Sequence, residues 1–227
     1  MSCTAENKKR GRAVLFDMDG TLMDTSEGLR AGLTQAIQLA GLPPLAEEQI
    51  RYIYSAIAHQ ALARFYGLSH EEGRRVAHVY RELIGTRYLL QARVFDGIEE
   101  LLTALRRQGY LLSTASLKRA DYCSRLLADK GLLHLFHAVA GQNAQYALTK
   151  CQVVQDAARQ LGVDSPEELV LIGDSPFDAE GAAQAGVDFI GVTYGFGFRG
   201  PEDLAPYPHV GCAASPAELR QLLCPDG

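Results

Sequence analysis

Three aspartates, Asp17, Asp19 and Asp24, fall within eight residues in "LFDMDGTLMDT", directly after a short apolar run. Carboxylates at the end of a buried strand repel one another and are costly to desolvate, so either the turn is an ordinary acidic helix cap or a cation offsets the charge. If the strand geometry continues, Asp17 and Asp19 point the same way, because side chains alternate with period two. With Asp174 of "LIGDSPFDAEGA" they make a hard-oxygen set suited to Mg²⁺. A carboxylate beside Mg²⁺ can attack a phosphoryl group and form an aspartyl-phosphate. A neighbouring carboxylate can protonate the leaving oxygen and later take a proton from water. Lys150 and the Thr114 hydroxyl are suited to bind phosphoryl oxygens. Gly20, followed by Thr21, permits a tight turn whose amides can face a phosphate.

These residues are scattered, and the elements must gather them. Apolar, β-rich runs at 13–16, 110–113, 138–140, 169–172 and 189–192, with a weaker one at 210–213, alternate with amphipathic helical patterns. Strand–helix alternation predicts an α/β fold with a doubly wound parallel sheet. Ligands bind beyond the carboxyl ends of such strands. Asp17, Asp19, Thr114, Asp174 and Asp178 all follow strands there, and Lys150 opens a helical pattern a little after the third. The plainer readings are a backbone-bonded hydroxyl for Thr114, a solvated first-turn lysine for Lys150 and a helix N-cap for Asp178.

One interval breaks the alternation. Residues 25–93 contain helical patterns only, so they are expected to form a small all-helical domain inserted after the first strand; 1–24 and 94–227 form the α/β core. The stripe Ile50, Ile53, Ile57 and Ala61 predicts one helix over "QIRYIYSAIAHQALARF". Ser69 with Glu72 is a capping box opening the next.

Bulk properties narrow the field. The chain has 227 residues, 47% hydrophobic and 22% charged, with a net charge of −5. No apolar run is long enough for a membrane span, and the N-terminal residues lack a secretory apolar region. The acidic balance argues against nucleic acid, and the basic cluster Lys8–Arg12 reads as a solvated tail. Five scattered cysteines without CxxC spacing fit reduced thiols, hence a cytoplasmic location. Three other patterns carry no chemistry. "GFGFRG" runs into "PEDLAPYP" without room for a dinucleotide-binding helix, His134 and His137 lack a partner cluster, and Cys151 reads as a packed thiol.

Taken together, "DMDGT", "LLST", Lys150 and "GDSPFD" resemble, in order, the four motifs of the haloacid dehalogenase-like hydrolases. The helical insert is similar to that family's type-1 cap, and "VTYGFG" to a segment of phosphoglycolate phosphatase-like members. The resemblance implies a Rossmann-like core and a Mg²⁺-dependent phosphatase acting on a small phosphorylated metabolite, with 2-phosphoglycolate the best single expectation. It makes Asp17 nucleophile and metal ligand. Asp19 is implied as general acid/base, lending the metal its backbone carbonyl. Thr114 and Lys150 would hold the phosphate, Asp174 the metal, and Asp178 would support the metal site or orient Lys150. Two positions depart from the family pattern. Ala115 stands where Asn or Ser is commoner, which brings Ser116 into phosphate contact, and Cys151 stands where Pro often follows the lysine. Sugar-phosphate phosphomutases share all four motifs and remain the alternative; a non-catalytic binding module is a third reading. A phosphonate hydrolase would need a cap lysine, and residues 26–93 contain none. Arg51 and His59 of the cap are expected to contact an acidic substrate, and a monomer or homodimer is expected.

Overall fold

The computed structural model describes residues 13–224; Cys3 and the cluster Lys8–Arg12 lie outside them. The chain runs β1 (Ala13–Phe16), β2 (Met23–Asp24), α1 (Ser26–Leu39), α2 (Glu47–Tyr54), α3 (Ala58–Tyr66), α4 (His70–Leu83), β3 (Arg93–Val94), α5 (Ile98–Arg107), β4 (Leu111–Arg119) and α6 (Ala120–Asp129). It continues through β5 (Ala138–Gln142), α7 (Lys150–Leu161), β6 (Leu169–Gly173), α8 (Pro176–Ala185), β7 (Asp188–Val192), α9 (Pro201–Leu204), β8 (Gly211–Ala213) and α10 (Pro216–Leu223). Six strands form one parallel sheet in the order β5-β4-β1-β6-β7-β8. β1 is central because it is apolar on both faces: Val14 and Phe16 join α5, α6 and α10 on one side, while Ala13 and Leu15 join α7 and α8 on the other. The chain winds away from β1 in both directions, which opens a crevice at its carboxyl end.

The helical insert leaves and rejoins the core through β2 and β3, which pair antiparallel, Met23 with Val94 and Asp24 with Arg93. Its apolar faces (Leu29, Leu33, Ile53, Leu62, Ala77) are continuous with the α5/α6 side of the core.

One expectation needs correction. The helix foreseen over 49–65 is two, α2 and α3, separated at Ser55–Ile57, where Ile57 takes an extended conformation at the start of α3. The apolar stripe survives the break, with Ile53 and Ala61 both buried, so hydrophobic spacing could not reveal it. After α4 a π-helical turn, Ile84–Tyr88, meets the core. Arg125 donates to the Gly85 carbonyl at 3.1 Å, and a Cβ on Gly85 would collide with the Tyr122 hydroxyl. Among the described residues no helix is long and apolar enough to cross a membrane.

Candidate active site

Asp17 follows β1 directly, and its amide extends the ladder by donating to Ile172 O at 2.9 Å. Thr149 caps α7, accepting from the Gln152 amide, and this sets Lys150 at the first helical position with its side chain buried. Gly181 of α8 lets the lysine stem pass, since a Cβ there would strike Lys150 Cγ. Lys150 Nζ donates to Asp17 Oδ1 at 2.7 Å and pairs with Asp178 Oδ1. Asp178 Oδ2 meanwhile accepts from the Ser175 amide and hydroxyl at 3.0 and 2.6 Å. Asp178 is thus both a capping residue of α8 and the group that orients Lys150.

Asp174 ends β6. Its Oδ2 accepts from the amides of Phe196 and Gly197 at 2.6 and 3.1 Å. Gly195 permits that approach, because a Cβ would lie 2.5 Å from the same oxygen. Oxygens of Asp17, Asp174 and Asp178 lie within 4.8 Å of one another, a group that could hold a metal ion. Burial pushes the Asp17 carboxyl up to about 6, reinforced by Asp178 and Asp19 against the opposing pull of Lys150. Burial also holds Asp174 well above the ordinary range, with the charges of Asp178 and Asp17 adding to it. Burial works against the Lys150 ammonium, but Asp17 and Asp178 outweigh it and the net effect is upward.

Asp19 is held at both oxygens: Oδ1 accepts from the Thr25 hydroxyl at 2.6 Å, and Oδ2 pairs with Lys118 Nζ at 2.9 Å. Lys118 was not foreseen. Its signal is a lysine just past a strand in "STASLKR", but its partner lies far away in sequence and the strand was expected to end at Ser113.

Several expected contacts fall elsewhere. Thr114 pairs with Phe16 one step before the catalytic end, and its hydroxyl donates to Ala140 O at 2.8 Å. Ser116, two residues on and on the same side of the strand, lines the cavity instead. Ala115 packs in the apolar cluster between sheet and α7. The Gly20 amide is spent on Met23 O at 2.8 Å, and Thr21 is fully buried with its hydroxyl unpartnered, so neither lines the cavity. Gly20 is needed for packing: its φ is +81°, and a Cβ would collide with Asp174. Arg51 is exposed and outside the cavity, although Ile53 and Tyr54 of the same helix line it; His59 lies within it.

The cavity between insert and core measures about 450 Å³ and is lined by Asp17, Asp19, Lys118, Lys150, Asp174 and Asp178 on the core side. The α2–α3 break supplies Ser55, the first turn of α3 supplies His59, and α4 supplies Tyr80 and Arg81.

A family model described as haloacid dehalogenase-like hydrolase matches residues 14–192. The chain is 32% identical to the tyrosine-protein kinase PtkA of Mycobacterium tuberculosis, over 92% of this chain and 72% of that one. It is 30% identical to a 5′-nucleotidase of Pseudomonas aeruginosa, over 92% and 94%. A solved haloacid dehalogenase-like hydrolase of Streptococcus pneumoniae superposes with a TM-score of 0.83 at 27% identity, over 91% of this chain and 95% of that one. With its acidic strand ends, clamped lysine and helical insert, the chain belongs to the haloacid dehalogenase-like hydrolase family.

Proposed function

We propose that the chain is a phosphoric monoester hydrolase whose nucleophile is Asp17. The observation that carries this is the Lys150 clamp: one ammonium joins Asp17 to Asp178 beside Asp174, at the open end of the central strand. The donor set also fits Mg²⁺, since Lys150 offsets only one of three clustered carboxylate charges and all the donors are hard oxygens. Asp17, Asp174 and Asp178 would hold the ion, which when bound supplies charge neutralisation and polarises a phosphoryl oxygen.

Asp17 then attacks phosphorus, and the bond to the leaving oxygen breaks as Asp19 delivers its proton there. Water next attacks the phosphoryl group while Asp19 takes its proton, which frees phosphate and restores Asp17. Lys118 and Thr25 keep Asp19 aimed, while Lys150 and Ser116 hold phosphoryl oxygens. The relatives' named activities, a tyrosine-protein kinase and a 5′-nucleotidase, share phosphoryl transfer and differ in what accepts or carries the group. Membership alone therefore leaves the substrate open. Within this reading the substrate is a small phosphomonoester, 2-phosphoglycolate being the first to try. The test is phosphate release from p-nitrophenyl phosphate and a panel of phosphorylated metabolites, with Mg²⁺ and with a chelator. Release that needs Mg²⁺ supports the reading. No release from any member, or isomerisation of glucose 1-phosphate instead, rejects it.

Three variants separate roles. Asp19→Ala should slow an alkyl phosphate more than a nitrophenyl one, because general acid catalysis, worth about 10²–10⁴-fold, matters less for a good leaving group. Equal losses on both would take Asp19 out of that role. Ser116→Ala should cut kcat/KM by roughly tenfold or more, the worth of a hydrogen bond to a charged group. Thr114→Val should cost about 1 kcal/mol of stability, seen in thermal melting, with a smaller kinetic effect. The reverse ranking in steady-state kinetics would return the phosphate contact to Thr114.

A further inference from the structure

Arg81, in the last turn of α4, enters the cavity from the cap side. Its guanidinium lies 4.2 Å from the centroid of the Tyr146 ring, which belongs to the β5–α7 connection. No carboxylate among the described residues pairs with it, whereas the other two cations of the cavity, Lys118 and Lys150, are each bound to aspartates. Burial pulls the Arg81 guanidinium below its ordinary value, with only Tyr146 and Tyr80 opposing. A half-buried cation without an anion is unfavourable unless a partner arrives. Stacking on a ring face also fixes the guanidinium plane and leaves its N–H edge free for a planar anion.

The ring itself is deliberately placed. Tyr146 is the one non-glycine residue with positive φ among those described, at 52°, a conformation that is uncommon away from glycine. Its loop is tied down by Asn143, whose carbonyl accepts from Tyr146 N at 3.2 Å and whose Oδ1 accepts from Ala147 N at 3.1 Å. The loop ends at Thr149 and Lys150, so the position of Arg81 is referred directly to the phosphate end of the cavity.

We propose that Arg81, oriented by Tyr146, is a specificity-determining residue that binds a second anionic group, a carboxylate or a phosphate, on the leaving group of the substrate. The preferred substrates are then phosphomonoesters carrying two separated anions. This rests on the reading that Asp17 and Lys150 receive the reacting phosphate.

The test compares ethyl phosphate, 2-phosphoglycolate and glucose 1,6-bisphosphate on the wild-type protein and on Arg81→Ala, Arg81→Lys and Tyr146→Phe. The wild type is expected to prefer at least one doubly anionic substrate. Arg81→Ala should cut that preference, measured as a ratio of kcat/KM values, by roughly ten- to a hundredfold, the worth of a charge-assisted hydrogen bond, and mainly through KM. Arg81→Lys should recover part of it and Tyr146→Phe most of it, since the ring face remains. Whichever substrate suffers more identifies the anion as carboxylate or phosphate. A wild type without the preference, or a preference untouched by Arg81→Ala, overturns the proposal. Should no substrate be hydrolysed, the phosphatase reading fails by itself. Calorimetric affinities for the three phosphates, with Arg81 and with Arg81→Ala, then decide the matter. An unchanged ratio of affinities rejects the Arg81 subsite.

Discussion

Asp17→Asn is expected to abolish turnover, by about 10⁴-fold or more as for removal of other catalytic nucleophiles, while the metal-free protein melts no lower than wild type. The amide is too weak a nucleophile, yet its oxygen can still accept from Lys150, so the clamp survives. Removing one charge from a crowd of buried carboxylates also relieves repulsion. The pH dependence follows in sign. The folded Asp17 carboxyl is raised to about 6, above the ordinary value of about 4 expected in the unfolded chain, so the folded state binds this proton more tightly. Metal-free wild type should therefore lose stability as pH rises from about 4 through 6, and Asp17→Asn should flatten that fall. Melting curves in chelator across this range, with activity assays on freshly purified protein to exclude deamidation, check both halves. Wild-type-like turnover would sink the mechanism.

Lys150→Met is expected to be the most damaging change to stability. It leaves Asp17 and Asp178 without their shared cation, and breaking a buried ion pair from one side costs about 3–5 kcal/mol. At about 2–4 °C per kcal/mol for a chain of this size, the melting temperature in chelator should fall by roughly 10 °C at neutral pH. Acidification to about pH 5 should return part of it, because protonated carboxyls no longer need a counter-charge. Turnover should be lost as well. An unchanged melting temperature in chelator would show that Lys150 is not the balancing charge.

Much of this was legible in the sequence, for reasons that differ by element. β1, β6 and β7 announce themselves because a central parallel strand is apolar on both faces, and "DMDGT" and "GDSPFD" stand at two of their ends. Ribbon β2–β3 is invisible, since two residues at each end of a long insert pair through hydrogen bonds that leave no compositional trace. The exchange of Ser116 for Thr114 reflects a limit of period-two reasoning. The alternation tells which face a side chain takes and says nothing of its depth along a strand that runs on to Arg119. Arg51 failed because an apolar stripe tells which side of α2 packs inward and not which of its other sides meets the core. Arg81 went unnoticed because its significance lies in the partner it lacks, which only three-dimensional packing reveals.

Ribbon β2–β3 also bears on how such a protein can be rebuilt. The chain departs at Asp24 and returns at Arg93, residues that sit side by side and are bridged by an ion pair at 3.1 Å. Because those ends already meet, another helical module, or a short turn, can be spliced between them without re-routing any core strand, and the loop-closure entropy changes only slowly with the length inserted. Asp17, Lys150, Asp174 and Asp178 would keep their places, since each stands on a core element. Thr25 lies just beyond the splice point and holds Asp19, so a grafted module should retain that one residue. The same reacting centre could then be offered a new series of leaving groups by exchanging a contiguous cassette of sequence.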